Sequence, residues 1–133
     1  MKRTNLIIII LFTSIVCNAQ KYYTRSGVTE FNASEKAFEP VVAINNSTTA
    51  IFDINTGEVV GQVFIASFEF KNALMQEHFN ENYMESSSYP KAIFKGKIDN
   101  FSKDRLKTVS EFDLVGILTV RGKEKKIIKN IQN

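Results

Sequence analysis

The second half of the chain contains two stretches in which apolar and polar residues alternate, 91–98 and 111–121. Alternation with a period of two is typical of β-strands that bury one face. The residues expected on the buried faces are Ala92, Phe94, Gly96 and Ile98 in the first stretch, and Phe112, Leu114, Gly116, Leu118 and Val120 in the second. The glycines near the middle of both stretches either allow a bend or leave room on the inner face. We expect one more strand to begin within 123–131.

The first half of the chain shows the same periodicity less regularly. The strands predicted there are 22–33, 38–44, 48–53 and 59–66. Turn residues at 45–47 predict one hairpin, and Asn55-Thr56-Gly57 predicts the next, with Gly57 free to adopt a positive φ. Connections this short do not allow parallel crossovers, so the sheet is expected to be an antiparallel meander.

One stretch changes its period. Between 72 and 83 the apolar positions recur every three or four residues, which predicts an amphipathic helix. The stripe consists of Leu74, Met75, His78, Phe79 and Tyr83. Asn72 is expected to cap the helix at its N-terminus, and the stripe to cover an open end of a sheet or barrel. The fold class is therefore mainly β, antiparallel, with one short helix.

The first 20 residues have the pattern of an export signal. A basic start is followed by an apolar run over 6–16 and by small residues, and we place the cleavage after Ala19. The domain then covers residues 20–133, with 1–19 as the signal peptide. Two alternatives stay open, an uncleaved membrane anchor and a lipoprotein modified at Cys17. The apolar run is shorter than the roughly 20 residues that span a bilayer, and Val16 is a poor residue to precede a lipidated cysteine.

Composition limits the classes of function. The chain has 133 residues with 17 Lys+Arg against 14 Asp+Glu, and loss of Lys2 and Arg3 with the signal would leave a net charge of +1. A charge so close to neutral does not favour nucleic-acid binding. The single cysteine, Cys17, would also leave with the signal, so we expect no disulfide and no thiol chemistry in the domain.

Candidate chemistry is sparse. His78 is the only histidine, no nucleophile elbow or phosphate loop is present, and we expect neither a catalytic site nor a metal site. An enzyme centred on His78 stays open as an alternative to a packed histidine. A lysine cluster, Lys123, Lys125, Lys126 and Lys129, is either a solvated strand edge or a surface for transient contact with anionic lipid headgroups.

Two long segments, 67–86 and 89–98, together resemble the YceI-like family, in the form common in Bacteroidetes. Upstream, Asp53-Ile54-Asn55-Thr56-Gly57-Glu58-Val59 fits the same family. Downstream, Gly116-Ile117-Leu118-Thr119-Val120-Arg121-Gly122 matches the family's Gly-x-Leu-Thr-x-x-Gly motif. The resemblance extends from about Lys21 to Ile128.

The resemblance implies a lipocalin-like antiparallel β-barrel, exported to the periplasm or secreted, that binds a lipid and has no enzymatic activity. It implies no cofactor other than a bound isoprenoid or fatty-acid-like chain. The residues we expect to line the ligand space are Phe64, Phe68, Phe70, Leu74, His78, Phe94, Gly96, Phe112, Leu114, Gly116 and Leu118. Core packing is the alternative role of the phenylalanines. A polar end group of the ligand could meet Asn72, Gln76 or His78.

The resemblance also has a departure. The family domain continues past the motif that ends at Gly122, through strands that close the barrel, whereas this chain stops at Asn133. We therefore expect a barrel that is C-terminally truncated and open. Unpaired strand edges would then allow a second function, an interaction module or an edge-mediated dimer. A nonfunctional gene fragment is the remaining alternative.

Overall fold

The computed structural model describes residues 20–33 and 40–132, which form one antiparallel sheet with short helical segments. The predicted signal peptide lies outside the described residues. The strands are β1 (Lys21–Asn32), β2 (Val42–Asp53), β3 (Glu58–Phe64), β4 (Glu69–Phe70), β5 (Lys91–Ile98), β6 (Glu111–Val120) and β7 (Lys123–Gln132). Their order in the sheet is β1-β2-β3-β5-β6-β7, and β4 pairs with β2.

The sheet is not closed into a complete barrel. Among the described strands, β1 and β7 stand at the two ends of the order and each pairs on one side only. The expected fold class, an antiparallel lipocalin-like sheet that is open, is therefore confirmed. Within the described part of the chain, no helix is long and apolar enough to span a bilayer.

The hairpin predicted at 45–47 is wrong, because β2 runs without a break from Val42 to Asp53. Asn45 is fully buried; its amide nitrogen donates to the carbonyl oxygen of Phe64 at 3.1 Å, and its Oδ1 accepts from the backbone N–H of Ser47 at 2.9 Å. The pairing with β1 shifts register at this point. The asparagine therefore supports a β-bulge inside a long strand, where its own hydrogen bonds replace ladder bonds. Of the separately predicted strand 38–44, residues 38 and 39 lie outside the described residues.

The second predicted hairpin is confirmed. β2 ends at Asp53, whose carboxylate accepts from the backbone N–H of Asn55 at 2.9 Å, and β3 begins at Glu58. Gly57 has φ +77°, a conformation that a side chain disfavours. A Cβ atom at this position would lie 2.5 Å from the ring of Phe101, so the turn also requires the space that glycine leaves.

The predicted helix forms, but only its first half is α-helical. α1 spans Ala73–His78, and a π-helical turn follows over Phe79–Tyr83. Asn72 caps α1 as expected, since its Oδ1 accepts from the backbone N–H groups of Leu74 and Met75. A 3-10 turn over Ile65–Ser67 replaces the end of the fourth predicted strand.

A second short helix, α2, spans Arg105–Thr108 between β5 and β6. It was not predicted, because four residues are too few to show helical periodicity.

The buried residues concentrate near the helical end of the sheet. The core there consists of Ala43, Val63, Ile65, Phe68 and Phe79, with Phe31, Phe70, Met84 and Ala92 packed against it. At the opposite end, Ile98 and Phe112 are buried and the rings of Phe52 and Phe101 meet edge to face at 5.7 Å. Between these two ends, the inner face is only half-buried.

Candidate ligand-binding site

An apolar cleft of about 980 Å³ opens beside α1, where the last residues of β1 and the first of β2 approach the helix. Its lining consists of Phe31, Ala33, Val41, Phe70, Asn72, Leu74, Met75, His78, Phe79, Asn82, Tyr83 and Met84. This volume is at the upper end of the roughly 300–1,000 Å³ that small-molecule sites occupy in proteins. A mainly apolar wall with a few polar groups is also typical of such sites.

The rings of Phe31, Phe70 and Phe79 form the floor of the cleft, and Phe68 packs against Phe79 from the core. Phe79 is buried, and its ring lies 5.1 Å from that of Phe31, 4.8 Å from that of Phe70 and 5.8 Å from that of Phe68. These rings come from β1, β4, the segment before β4 and the π-helical turn. Tilted and edge-to-face aromatic pairs at such distances stabilise a packed cluster, so the floor is held from several elements at once.

The rim of the cleft is apolar and exposed. Leu74 is 60% exposed and Tyr83 71%. The predicted stripe therefore packs onto the sheet mainly through Phe79. We expected the whole stripe to cover the end of the sheet, but Leu74 and Tyr83 remain exposed. Exposed apolar side chains that border a concave surface are typical of ligand-binding grooves.

The three polar residues predicted near the ligand differ in their partners. Asn72 is occupied as the helix cap, and Gln76 accepts from the backbone N–H of Phe70 at 3.3 Å and does not line the cleft. The Nδ1 atom of His78 lies 2.8 Å from the amide nitrogen of Asn82, and both residues line the cleft. Of the three, His78 is the one that lines the cleft with an exposed side chain whose hydrogen bond goes to another side chain, that of Asn82.

A second apolar surface, the inner-face trough, crosses the middle of the sheet. It comprises Phe94, Gly96, Leu114, Gly116 and Leu118, all half-buried. Gly96 and Gly116 are directly paired, and the Phe94 ring lies above both. A Cβ atom would approach that ring to 2.6 Å at either glycine. The space that the glycines leave is thus filled by an aromatic ring.

The trough is open on the β3 side. Gly61 is paired with Phe94 across the ladder, yet a Cβ atom at Gly61 would meet no atom within 4 Å. Gly61 therefore marks unfilled space on the same inner face. This position was not among the predicted site residues.

The structure separates the predicted site residues into groups. Phe70, Leu74 and His78 line the cleft, five others form the trough, and Phe68 belongs to the core. Phe112 is buried at the far end of the sheet, with the Arg105 guanidinium 5.4 Å from its ring.

Phe64 departs from the expected inward orientation. It is 47% exposed and lies beside the buried Val63 on the opposite face, with the Lys91 ammonium 5.3 Å from its ring. Val59, Gly61 and Val63 share the inner face of β3, so the alternation within the strand itself directs Phe64 to the outer face.

Several cleft residues were missed. Met75, Phe79 and Tyr83 belong to the stripe that contains Leu74 and His78, and their spacing would have been enough to include them. Phe31 and Val41 come from strands that meet the helix only in the folded chain, so no local pattern indicates them.

The β6–β7 turn is bonded to the helical end of the site. Arg121 forms a salt bridge with Glu85 at 3.1 Å and donates to the carbonyl oxygen of Tyr83 at 3.0 Å. Both Arg121 and Gly122 have positive φ, as a two-residue hairpin turn requires. The family motif thus supplies a glycine beneath Phe94 and a glycine in the turn.

The described residues contain no group of three or more side chains that could hold a metal ion. An open antiparallel sheet with an apolar inner face, and a cleft beside α1, defines a fold of the lipocalin-like class. The chain belongs to the YceI-like family, whose domain matches residues 19–132.

Solved structures agree with this fold. Burkholderia cenocepacia BcnA superposes with a TM-score of 0.64 at 15% identity, over 79% of this chain and 65% of that one. A polyisoprenoid-binding domain from Saccharophagus degradans, implicated in plant cell wall breakdown, gives a TM-score of 0.67 at 11% identity, over 83% of this chain and 64% of that one. The chain thus spans slightly less than two thirds of either relative. No curated protein sequence matches it.

Proposed function

We propose that this protein binds the long apolar chain of an isoprenoid-like lipid, without catalysing a reaction on it, and so transports, stores or sequesters that lipid. The observation that carries the proposal is the apolar cleft with its exposed rim beside α1. The trough and the open space above Gly61 extend the apolar surface across the same inner face. The polyisoprenoid-binding domain of Saccharophagus degradans, which shares the fold, supports this ligand class.

The driving force would be burial of apolar surface on both partners. Each Å² removed from water contributes about 25 cal/mol, so even a rim residue such as Leu74, now 60% exposed, would contribute about 1–2 kcal/mol when a ligand covers it. The aromatic floor needs no rearrangement to receive a chain, because its rings already pack against one another.

Two measurements on the purified protein test the proposal. Organic extraction followed by mass spectrometry should recover a long-chain lipid, and titration with farnesol should show saturable binding. Absence of both a co-purified lipid and saturable uptake would contradict the proposal.

A pair of variants tests the location of the site. Leu74→Asp puts a carboxylate on the cleft rim, and it should weaken farnesol binding at least tenfold because a charge resists desolvation. Ile117→Asp is the matched control, since Ile117 is also exposed but lies on the outer face. If the two substitutions weaken farnesol binding equally, the cleft is not the binding site.

The proposed role includes export to the periplasm or release from the cell. It rests on the amino-acid pattern of residues 1–19 and would bring the protein into contact with membrane lipids. Mass spectrometry of the protein recovered from a fractionated cell should give an N-terminus at Gln20. An N-terminus at Met1 in the cytoplasmic fraction would contradict export.

The free edges of β1 and β7 favour a second candidate function, an interaction module that pairs with another strand. Light scattering coupled to size-exclusion chromatography distinguishes a dimer from a monomer. A monomer at all accessible concentrations would remove the edge-mediated dimer, and the lysines of β7 favour that result because charged edges resist pairing.

A further inference from the structure

The last strand places three of its lysines on the inner face of the sheet. Directly opposite residues of an antiparallel pair present their side chains to the same face. The inner-face pairs between β6 and β7 are Val120 with Lys123, Leu118 with Lys125, and Leu114 with Lys129. Lys126 lies opposite the exposed Ile117 and belongs to the outer face. The lysine cluster of the sequence is therefore divided between two surfaces.

These three lysines are the charged side chains of the inner face in the described strands. The register assigns the carboxylates of the strands to outer positions. They are Glu30, Asp53, Glu58, Glu69, Glu111, Asp113 and Glu124. Within the described residues, the one ion pair is Arg121 with Glu85, in the turn region. Within the described strands, the inner face therefore carries positive charge that no carboxylate of the same face offsets.

One lysine ends an apolar row. Neighbouring residues across the ladder run from Gly61 through Phe94 and Leu118 to Lys125. At about 4.8 Å between strands, this row is about 14 Å long. It begins at the open space above Gly61 and ends at an ammonium group. Lys123 is two residues away on the same face, about 7 Å along the strand.

Lys123 and Lys125 also lie at the end of the sheet where the cleft opens. The turn just before Lys123 contains Arg121, which donates to the carbonyl oxygen of Tyr83, and Tyr83 lines the cleft. An apolar surface and a pair of cations therefore share one end of the molecule.

We infer that the ligand is an anionic amphiphile, whose phosphate or carboxylate head group is bound by Lys123 and Lys125 and whose chain lies along the trough. This inference rests on the proposed function and adds the chemistry of the head group. Ammonium groups bind such anions through charge-assisted hydrogen bonds. Because both lysines are exposed, each contributes modestly and the attraction should depend on salt.

The experiment compares farnesyl phosphate with farnesol, which have the same chain, and with inorganic phosphate. We expect farnesyl phosphate to bind about tenfold more tightly than farnesol at low salt, which corresponds to about 1.4 kcal/mol. The preference should shrink as salt is raised, while farnesol binding should not weaken. The double variant K123Q/K125Q should remove the preference. K126Q is the matched control, because it removes a lysine from the same strand but from the outer face.

The outcomes separate the inference from the proposed function. Equal binding of the two farnesyl compounds, unchanged in K123Q/K125Q, overturns the anionic head group and leaves lipid binding intact. Failure of both to bind overturns lipid binding itself. Inorganic phosphate binding as tightly as farnesyl phosphate also overturns the inference, since the chain would then contribute nothing. If K126Q loses the preference for farnesyl phosphate as fully as K123Q/K125Q does, the effect is one of general charge. That result would contradict the assignment of the head group to Lys123 and Lys125. Far-UV circular dichroism of each variant checks the fold, and the salt series on the unmodified protein needs no variant.

Discussion

The paired glycines beneath Phe94 allow a sharp test of how tightly the trough is packed. A methyl group at Gly116 would lie 2.5 Å from the carbonyl oxygen of Lys95 and 2.6 Å from the Cα atom of Gly96. Both are backbone atoms of the adjacent strand, so relief requires β5 and β6 to move apart. Overpacking of this kind destabilises the folded state by about 1–3 kcal/mol. Alanine is less flexible than glycine in the unfolded chain, and this difference stabilises the folded state by about 0.4–1 kcal/mol. We expect Gly116→Ala to lower the free energy of unfolding by about 1–2 kcal/mol.

Gly61→Ala is the matched control, because it adds the same methyl group to the same face of the sheet. No atom lies within 4 Å of the added methyl, so only the effect on the unfolded chain remains. We expect this variant to be more stable than the parent by about 0.4–1 kcal/mol. Urea unfolding followed by far-UV circular dichroism measures both values. If the two substitutions have equal effects, or if Gly116→Ala costs less than about 0.5 kcal/mol, the described packing is wrong.

A double-mutant cycle with Phe94→Ala separates the ring from the backbone. Removal of the ring eliminates the 2.6 Å contact with Phe94 but leaves the contact with Lys95. The cost of Gly116→Ala should therefore fall in the Phe94→Ala background without vanishing, with a coupling of at least about 0.5 kcal/mol. No coupling would show that the ring does not occupy the space above the glycine.

Three further substitutions test other parts of the fold by the same unfolding measurement. Asn45→Ala should cost about 1–3 kcal/mol because it removes the buried side chain that supports the bulge in β2, and no loss would contradict that role. Asn72→Ala should cost about 0.5–2 kcal/mol through loss of the helix cap, whereas Asn72→Asp should retain most of the stability. Arg121→Ala should cost no more than about 1 kcal/mol, since the ion pair with Glu85 is nearly half exposed, and a loss above about 2 kcal/mol would show that the turn contributes more than its contacts indicate.

Prediction from the sequence was most accurate where one periodicity continues through a whole strand. The alternation in β5 and β6 placed Phe94, Gly96, Gly116 and Leu118 on one face correctly, because a pleated strand allows no other arrangement without a bulge. The turn at Gly57 was also predicted, since a positive φ restricts the residue type strongly. Both features are local, so a short window of sequence contains their cause.

The failures occur where tertiary contacts override a local signal. Asparagine and serine at 45–47 favour a turn in isolation, but burial of Asn45 against the carbonyl of Phe64 turns the same residues into a bulge. Phe64 was grouped with the inward-facing aromatic residues by residue type alone, whereas the pairing of β3 with β5 directs it outward, opposite Lys91. The cleft was predicted only in part, because it joins α1 to β1 and β2, and the contact of distant elements leaves no periodic trace.

The division of the lysine cluster is a finding of the same kind. Lys125 and Lys126 are neighbours in sequence with equal charge, and only the pairing with β6 shows that one faces the trough and the other faces away. The sequence gives the number of such charges, but the surface on which each one lies depends on the register of the strand.

Methyl-detected NMR during a farnesol titration tests the central claim most directly, because the inner and outer faces carry separate methyl groups. A lipid bound as proposed should shift the signals of Leu74, Met75 and Leu118 in a saturable manner, and it should leave those of Ile51, Val60 and Ile117 on the outer face unchanged. Shifts confined to the outer face, or no saturable shift at any methyl group, would contradict the claim that the apolar inner side of this open sheet binds a lipid chain.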